Sequence, residues 1–248
     1  LTPGKLTKKQ GEAQAKIAQG ATHFMLEGGS RSGKTFLHTR NIVLRALKAP
    51  ESRHGISRFR LNHLKATIVA DTFPKVMKAC FPGVDYKLNK SDLFATFPNK
   101  SELWFFGLDD KERTEKILGF EFVTLYHNEC SQTPFNSIEM ANTRLAQRVQ
   151  VDVAGMKGEL LKPRAFYDQN PPNKSHWSYK RFHLKQDQET REALANPNDW
   201  EYFRINPKDN QDNISPEYIQ MLEGMSARNR KRFLEGDYAD ANPNALFP

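Results

Sequence analysis

A glycine-rich stretch between an apolar run and an amphipathic segment constrains the fold of this chain more than any other feature. Residues 27–36 read EGGSRSGKTF; THFML precedes them and LHTRNIVLRALK follows. Glycine permits backbone angles and close approaches that a Cβ atom would block, and the N–H groups that open a helix favour a bound anion. We therefore predict a strand, an anion-binding loop and a helix in succession, an order typical of α/β proteins.

The spacing within this stretch matches the phosphate-binding pattern G-x-x-x-x-G-K-[ST]. In that pattern Lys34 supplies a positive charge for the β- and γ-phosphates, and the Thr35 hydroxyl is a ligand for Mg²⁺. Arg31, inside the loop, is predicted to touch phosphate or to sense its loss. The residues predicted to form the nucleotide cradle are Gly28, Gly29, Ser30, Arg31, Ser32, Gly33, Lys34 and Thr35.

Short apolar runs alternate with helical patterns along the chain. We predict strands at residues 22–26, 66–70, 102–106, 122–127, 164–167 and 200–205, and helices at 7–19, 34–48, 73–80, 135–149, 215–222 and 226–234. The segments APESRHGISRFR and NPPNKSHW are predicted to be loops because they contain turn-forming residues. Strands that alternate with helices favour a mostly parallel central sheet flanked by helices.

An amide and an acid follow the predicted strand at 122–127. Asn128 and Glu129 come directly after this apolar run, and ligands of open α/β sheets bind at the carboxyl ends of the strands. Glu129 in that position could orient or deprotonate an attacking water. The competing interpretation is a surface carboxylate after a core strand, and it is weakened by the phosphate-binding loop upstream.

Composition narrows the class of partner. The 248-residue chain has a formal net charge of +8, which favours a polyanionic partner such as nucleic acid or an anionic membrane surface. No apolar run is long enough to span a bilayer, and no signal peptide is recognisable. Cys80 and Cys130 are the two cysteines, and so few predict free thiols in a reducing compartment.

Taken in order, the motifs resemble those of the ATPase domain of tailed-bacteriophage terminase large subunits, the motors that package viral DNA. GGSRSGKT resembles that family's arginine-containing loop, ILGFEFVTLYHNEC its strand with a following acidic pair, and TRLAQR its arginine-bearing helix. DQNPPNKSHWSYKRF and NPKDNQDNISPEYIQMLEGMSARNRKRFLEGDYAD resemble its later segments.

The resemblance implies a P-loop NTPase of the additional-strand, catalytic-glutamate type that hydrolyses ATP with Mg²⁺. It also implies double-stranded DNA, the portal of a procapsid and a terminase small subunit as partners, a homo-oligomeric ring on the portal, no membrane partner, and the host cytoplasm as location. Residues 1–235 would form the ATPase domain with its C-terminal helical subdomain. Residues 236–248 would begin a linker toward a nuclease domain, so that the parent protein is expected also to be an endonuclease.

The resemblance assigns further roles residue by residue. Gln10 matches the upstream glutamine that reads adenine, and Asn170 matches the residue that relays occupancy of the γ-phosphate site. Asn128 stands where the family usually has the aspartate that holds Mg²⁺ through water, so we expect weaker Mg²⁺ binding or slower turnover and a gain on replacement by Asp. Leu118 stands where relatives often have a trans-acting basic residue, and four residues remain alternatives for that role: Arg113, Lys116, Arg144 and Arg148.

Three other classes of protein share a phosphate-binding loop. A signalling GTPase requires an N-K-x-D motif, which the sequence lacks. A small-molecule kinase requires a lid with clustered arginines, for which ESRHGISRFR is a weak match. A helicase-like translocase without a packaging role is the third alternative.

Overall fold

The computed structural model of this protein describes residues 5–109, 117 and 119–240. These residues divide into two units: a first unit of Lys5 and residues 35–168, and a second unit of residues 6–34 and 169–240. Arg113, Lys116 and Leu118 lie outside the described residues.

Eight strands occur in the described part of the chain, namely β1 (His23–Glu27), β2 (Arg53–Arg58), β3 (Lys87–Asn89), β4 (Phe94–Thr96), β5 (Glu102–Gly107), β6 (Thr124–His127), β7 (Arg164–Gln169) and β8 (Trp200–Arg204). The α-helices whose bounds lie within the described residues are α1 (Lys8–Ala18), α2 (Lys34–Lys48), α3 (Leu61–Leu64), α4 (Phe73–Cys80), α5 (Phe135–Asn142), α6 (Trp177–Tyr179), α7 (Pro216–Glu223) and α8 (Ala227–Phe233). Within those same residues, no helix has both the length and the apolarity to cross a membrane.

The first unit is built on a mixed sheet in the order β3-β4-β5-β2-β6-β7. Neighbours among β5, β2, β6 and β7 are parallel, whereas β3 and β4 form an antiparallel extension. Two of its apolar clusters contain Trp104 with Phe122 and Val123 with Val151. Because β2, β6 and β7 are parallel, their carboxyl ends share one edge of the sheet, and the predicted α/β class is confirmed.

The second unit contains the parallel pair β1 and β8, in register from His23 opposite Trp200 to Glu27 opposite Arg204. Helix α1 contacts β8 and begins with a reciprocal cap, in which the Gln10 N–H donates to Thr7 Oγ1 and the Thr7 N–H donates to Gln10 Oε1. A cap of this kind stabilises the first turn of a helix by about 1 kcal/mol. It also fixes the Gln10 side chain.

The prediction of a loop at APESRHGISRFR was wrong, because this segment contains β2, a central strand of the first sheet. The pattern is hard to read because polar residues are buried there with internal partners. His54 Nε2 lies 2.8 Å from Ser52 Oγ, and Ser57 Oγ lies 2.7 Å from His127 Nδ1. Buried polar groups that are paired in this way cost little, so a strand without an apolar run is stable here.

The prediction of a strand at residues 66–70 was also wrong. A π-helical segment, Lys65–Thr72, continues α3 into α4. Leu61, Leu64 and Ile68 are buried while most residues between them are exposed, which is a helical rather than an alternating pattern. Pro74 in the following turn has no N–H to donate, and this loss favours the wider hydrogen-bonding pattern before it.

The helix predicted at 135–149 ends at Asn142. Beyond it the chain forms turns and also bonds to other segments of the first unit. The Phe122 N–H donates to the Arg144 carbonyl at 2.7 Å, the Gln147 N–H donates to the Phe122 carbonyl at 3.2 Å, and the Arg53 N–H donates to Gln147 Oε1 at 2.6 Å. These tertiary contacts override the local helical preference.

The segment predicted to begin a linker at residue 236 is packed in the second unit as far as residue 240. Tyr238 is buried and its hydroxyl accepts a hydrogen bond from Gln169 Nε2 at 2.6 Å. The Lys174 N–H donates to the Ala239 carbonyl at 3.1 Å. These contacts hold residues 238 and 239 in the second unit, and the domain boundary at residue 235 stays a prediction.

Three histidines of the first unit are fully buried: His38, His54 and His127. Burial lowers the pKa of His38 and the pKa of His127 to about 4. Burial also lowers the pKa of His54 well below its ordinary value, and the nearby Arg45 charge acts in the same direction. All three imidazoles are therefore neutral at pH 7.

Lowering the pH from 7 to 5 is expected to reduce the free energy of unfolding by about 2 kcal/mol for each of His38 and His127. In the unfolded chain these imidazoles take up a proton near the ordinary pKa of about 6.5, whereas in the folded chain they do so near 4. The stability they contribute is complete above pH 6.5 and is lost as the pH falls toward 4. Urea unfolding at pH 7, 6 and 5 measures this slope.

Two variants separate this effect from general acid destabilisation. His38→Gln removes one buried titrating group and is expected to flatten the pH dependence by up to about 1.4 kcal/mol per pH unit. His63→Gln changes an exposed histidine of the same unit and should leave the slope unchanged. Equal slopes for wild type and His38→Gln would contradict the assignment.

Candidate functional site

The glycines of the predicted phosphate-binding loop are required by close packing within the second unit. A Cβ atom on Gly28 would lie 1.9 Å from the Ile205 carbonyl oxygen, and one on Gly29 would lie 2.3 Å from the Phe233 carbonyl oxygen. Gly28 and Gly33 also have positive φ angles of 143° and 86°, which side chains strongly disfavour. The loop conformation therefore depends on the residue types that the motif specifies.

Two N–H groups of the loop are used inside the protein. The Gly29 N–H donates to Asn206 Oδ1 at 3.0 Å, and the Ser30 N–H donates to the Phe233 carbonyl at 2.8 Å. Asn206 also donates to the Glu235 carbonyl at 2.8 Å. The beginning of the loop is thus tied to the end of the second unit, and the role of residues 28–35 as a nucleotide cradle stays a prediction.

Lys34 is 6% exposed, although its position in the motif suggests an exposed side chain. Its Nζ donates to the Gly28 carbonyl at 3.1 Å and the Gly29 carbonyl at 2.6 Å, and it lies 3.0 Å from Ser32 Oγ. Asn170 Oδ1 is a further acceptor at 3.2 Å. The loop therefore folds around its own ammonium group, and a phosphate would replace some of these acceptors.

Asn170 and Gln10 contact this loop, and Arg31 is part of it. Asn170 Nδ2 donates to Ser30 Oγ at 3.3 Å. Gln10 is buried, and its Nε2 donates to the Gly33 carbonyl at 3.2 Å. The exposed Arg31 has a left-handed backbone with φ of 54°, and its guanidinium lies 5.3 Å from the centre of the Tyr218 ring.

The first unit begins at Thr35, whose side chain binds an aspartate that the motif reading missed. Thr35 Oγ1 donates to Asp168 Oδ2 at 2.7 Å, and the Tyr126 hydroxyl donates to the same oxygen at 2.8 Å. Asn128 Nδ2 donates to Asp168 Oδ1 at 3.0 Å, and the Glu129 N–H donates to that oxygen at 2.7 Å. The available sequence signal was an acid at the end of the predicted strand in RAFYDQN.

This cluster fits Mg²⁺. Its acceptors are oxygens of a hydroxyl, a carboxylate and an amide, which are the ligand types that Mg²⁺ prefers, directly or through water. Asn128 Oδ1 is buried and has no hydrogen-bond partner, so it is an oxygen still able to accept from a metal-bound water. Within residues 5–109, 117 and 119–240, no group of three or more His, Cys, Asp or Glu side chains could hold a metal ion.

Tyr126 is fixed as a hydrogen-bond donor in this cluster. Burial raises the pKa of its hydroxyl well above the usual value, and the charge of Asp168 and its hydrogen bond raise that pKa further. The protonated hydroxyl therefore donates to the carboxylate at any pH near neutrality.

Glu129 follows β6 in a left-handed backbone conformation, with φ of 50° and ψ of 46°. Such angles cost a non-glycine residue about 1–2 kcal/mol, and here the N–H bond to Asp168 holds them in place. Glu129 lines a cleft of about 400 Å³ in the first unit together with Thr35, Asn128, Arg58 and residues of the π-helical segment. The conformation thus places the carboxylate residue beside the Thr35 hydroxyl.

His127 precedes this pair but is poorly suited to act as a base. Its Nδ1 lies 2.7 Å from Ser57 Oγ and its Nε2 lies 2.9 Å from Asn142 Oδ1. Burial lowers the pKa of His127 to about 4. Glu129 is therefore the better candidate for a general base.

Two of the four candidates for a trans-acting basic residue lie among the described residues. Arg144 and Arg148 follow α5, and Arg148 is exposed, whereas Arg144 Nε donates to Thr143 Oγ1 at 3.0 Å. Neither is on the arginine-bearing helix that the sequence suggests. Their role in trans stays a prediction.

Comparison with known proteins places this geometry in a family. Residues 20–235 match the family described as phage terminase large subunit. No curated protein is similar enough in sequence to be matched to this chain. Several solved structures are similar in fold.

The large terminase of a thermophilic bacteriophage superposes with a TM-score of 0.73 at 18% identity, covering 95% of this chain and 54% of that one. The complex of that same terminase with ADP gives a TM-score of 0.72 at 18% identity, with coverage of 94% and 54%. The large terminase ATPase domain of Thermus phage P74-26 gives a TM-score of 0.64 at 14% identity, covering 95% of this chain and 94% of that one.

At these identities the superpositions establish the fold, and this chain spans about half the length of the first two terminase structures. The family match is stronger, because it extends over most of the sequence and includes the loop, the Asn128-Glu129 pair and Asn170. The chain belongs to the phage terminase large subunit family.

Proposed function

We propose that this chain binds and hydrolyses ATP, and that in the whole protein hydrolysis drives double-stranded DNA into a procapsid. The observation that carries the proposal is the bond from the Thr35 hydroxyl to Asp168, whose other oxygen holds the Glu129 N–H. It brings the last residue of the phosphate-binding motif and a carboxylate residue into one hydrogen-bonded group. Membership of the terminase family and the ADP complex of a similar structure support the same activity.

Two loop residues and two residues that contact the loop have roles in this proposal. The Lys34 ammonium exchanges its contacts with the Gly28 and Gly29 carbonyls for the β- and γ-phosphates. Arg31 is placed to contact phosphate or to respond to its release. Asn170 is bonded to both Lys34 and Ser30. It senses this exchange because the Lys34 ammonium gives up its hydrogen bond to Asn170 Oδ1 when it turns to the phosphates. Gln10, bonded to the Gly33 carbonyl, lies on the adenine side.

Chemistry at the γ-phosphate is assigned to the first unit. Glu129 orients a water and accepts its proton. Thr35 directly and Asn128 through water would hold Mg²⁺, which neutralises charge on the phosphate oxygens.

The partners proposed for the whole protein follow from charge and family. The net charge of +8 suits a sequence-independent grip on DNA phosphates, which are the feature shared by every sequence that a motor moves along. We also propose that the whole protein binds a procapsid through its portal, binds a terminase small subunit and forms a homo-oligomeric ring. It would carry a C-terminal nuclease and act in the host cytoplasm.

Hydrolysis assays test the proposal directly. Mg²⁺-dependent release of phosphate from ATP is expected, with stimulation by two unrelated duplexes to a similar extent and a further increase with procapsids carrying the portal. Stimulation by DNA should weaken steeply with salt because each neutralised phosphate contributes a slope of about −0.9 in log K against log salt. Stimulation by a small acceptor molecule instead of DNA would favour the kinase alternative, and DNA stimulation that portal-bearing procapsids never increase would favour a helicase-like translocase.

A further inference from the structure

Asp168 lies at the carboxyl end of β7, one strand away from the position where an acid was expected. Strands β6 and β7 are parallel, with His127 opposite Tyr167, so the next residues along the two strands, Asn128 and Asp168, are neighbours. Asp168 is 1% exposed and Asn128 is 2% exposed. Sheet pairing thus places a buried carboxylate directly beside the amide that stands in the usual acidic position.

Every hydrogen bond described for the Asp168 carboxylate has it as the acceptor. The donors are the Thr35 and Tyr126 hydroxyls, the Asn128 amide and the Glu129 N–H. An ionised carboxylate only accepts hydrogen bonds, and its two oxygens have room for several such donors. The Asn128 amide must turn its NH₂ group toward the Asp168 carboxylate, because its oxygen cannot donate. Asn128 Oδ1 is therefore left buried without a hydrogen-bond partner.

We propose that Asp168 is the acidic residue of the magnesium site and that Asn128 positions it. The negative charge absent at residue 128 is present at residue 168, in contact with the hydroxyl that the motif assigns to the metal. With Mg²⁺ bound, Asp168 would accept from a water of the ion or from the Thr35 hydroxyl, while Asn128 holds the carboxylate by its NH₂ group and its Oδ1 would accept from a second water. This inference rests on the proposed function, because it assumes that nucleotide is bound with Mg²⁺.

The effect expected for Asn128→Asp changes as a result. From the motif alone, an added carboxylate should strengthen Mg²⁺ binding. In the structure, it would remove the hydrogen bond to Asp168 at 3.0 Å and set two carboxylates side by side without a donor between them. The single variant is therefore expected to bind Mg²⁺ no better than wild type.

An exchange of the two residues tests the proposal. The affinity of the intact chain for a fluorescent ADP analogue is measured across Mg²⁺ concentrations and in EDTA, alongside thermal unfolding. Asp168→Asn should raise the Mg²⁺ midpoint about tenfold or more, a loss typical of groups that support a metal site, and leave affinity in EDTA within about twofold. The double variant Asp168→Asn with Asn128→Asp should recover most of this loss because it restores one carboxylate and one amide.

A matched control is Asp85→Asn, which removes an exposed carboxylate of the same unit that does not line the cleft and should leave the Mg²⁺ midpoint unchanged. An unchanged midpoint in Asp168→Asn, or a folded double variant that recovers nothing, would overturn the proposal. If Asp168→Asn does not fold, the double variant alone decides in the same way. Wild-type protein that binds no ADP with or without Mg²⁺ would overturn the proposed function itself, whereas ADP binding that Mg²⁺ never strengthens would overturn only the magnesium assignment.

Discussion

Glu129→Gln is expected to keep nucleotide affinity and to lose about 10²–10⁴-fold in the rate of hydrolysis. The substitution keeps the size of the side chain and the N–H that donates to Asp168 at 2.7 Å, so the left-handed turn after β6 should persist. What it removes is the ability to accept a proton from water. Turnover under single-turnover conditions and ADP affinity, measured on the same preparation, separate chemistry from binding.

Glu139→Gln is the matched control for this variant. Glu139 is an exposed glutamate on α5, close in the chain but absent from the cleft that Glu129 lines. We expect it to hydrolyse ATP at the wild-type rate. If Glu129→Gln turned over normally, or if it lost nucleotide binding instead of turnover, Glu129 would be a structural residue and another group would have to serve as the base.

The phosphate-binding loop could be predicted from sequence because its requirements are local. Gly28 and Gly33 are needed for backbone angles within the loop itself, and Lys34 follows at a fixed spacing. The same holds for the cap of α1, where Thr7 and Gln10 are three residues apart. Patterns that span only a few residues can be recognised in a single sequence without knowledge of the tertiary fold.

Asp168 could not be found in this way because its role depends on distant partners. It is 133 residues from Thr35 and 40 from Asn128 in the chain, and an acid near a strand end is an ordinary surface feature when seen alone. Only the parallel pairing of β6 and β7 brings these residues together. The strand β2 was missed for a related reason, since His54 and Ser57 are buried with partners that the local pattern does not reveal.

The mispredicted segment at residues 66–70 shows how such errors concentrate near the site. Its β-branched residues suggest a strand, yet the segment is π-helical and contributes Ala66, Thr67 and Ile68 to the cleft that contains Glu129. Wide helical turns of this kind occur often at functional sites. Local preference is overridden here where the chain shapes the cleft.

Lys34→Ala is expected to weaken nucleotide binding by about 10–100-fold, the loss typical of hydrogen bonds to a charged group. The motif alone suggests that such a substitution leaves stability unchanged, but Lys34 is 6% exposed and its ammonium contacts the Gly28 and Gly29 carbonyls. Removing it leaves these acceptors without a donor, so we also expect a loss of about 1–3 kcal/mol in the free energy of unfolding.

Ligand-induced stabilisation distinguishes these two effects of Lys34→Ala. A ligand that binds only the folded state at 100 times its Kd stabilises it by about 2.7 kcal/mol, so ADP should raise the unfolding midpoint of wild type. The variant should unfold earlier and gain much less from the same ADP concentration. Lys48→Ala, at the exposed far end of the same helix, should gain as much as wild type, because it removes a lysine charge without touching the loop. A full gain in Lys34→Ala would show that the loop lysine does not hold phosphate, whatever its effect on stability.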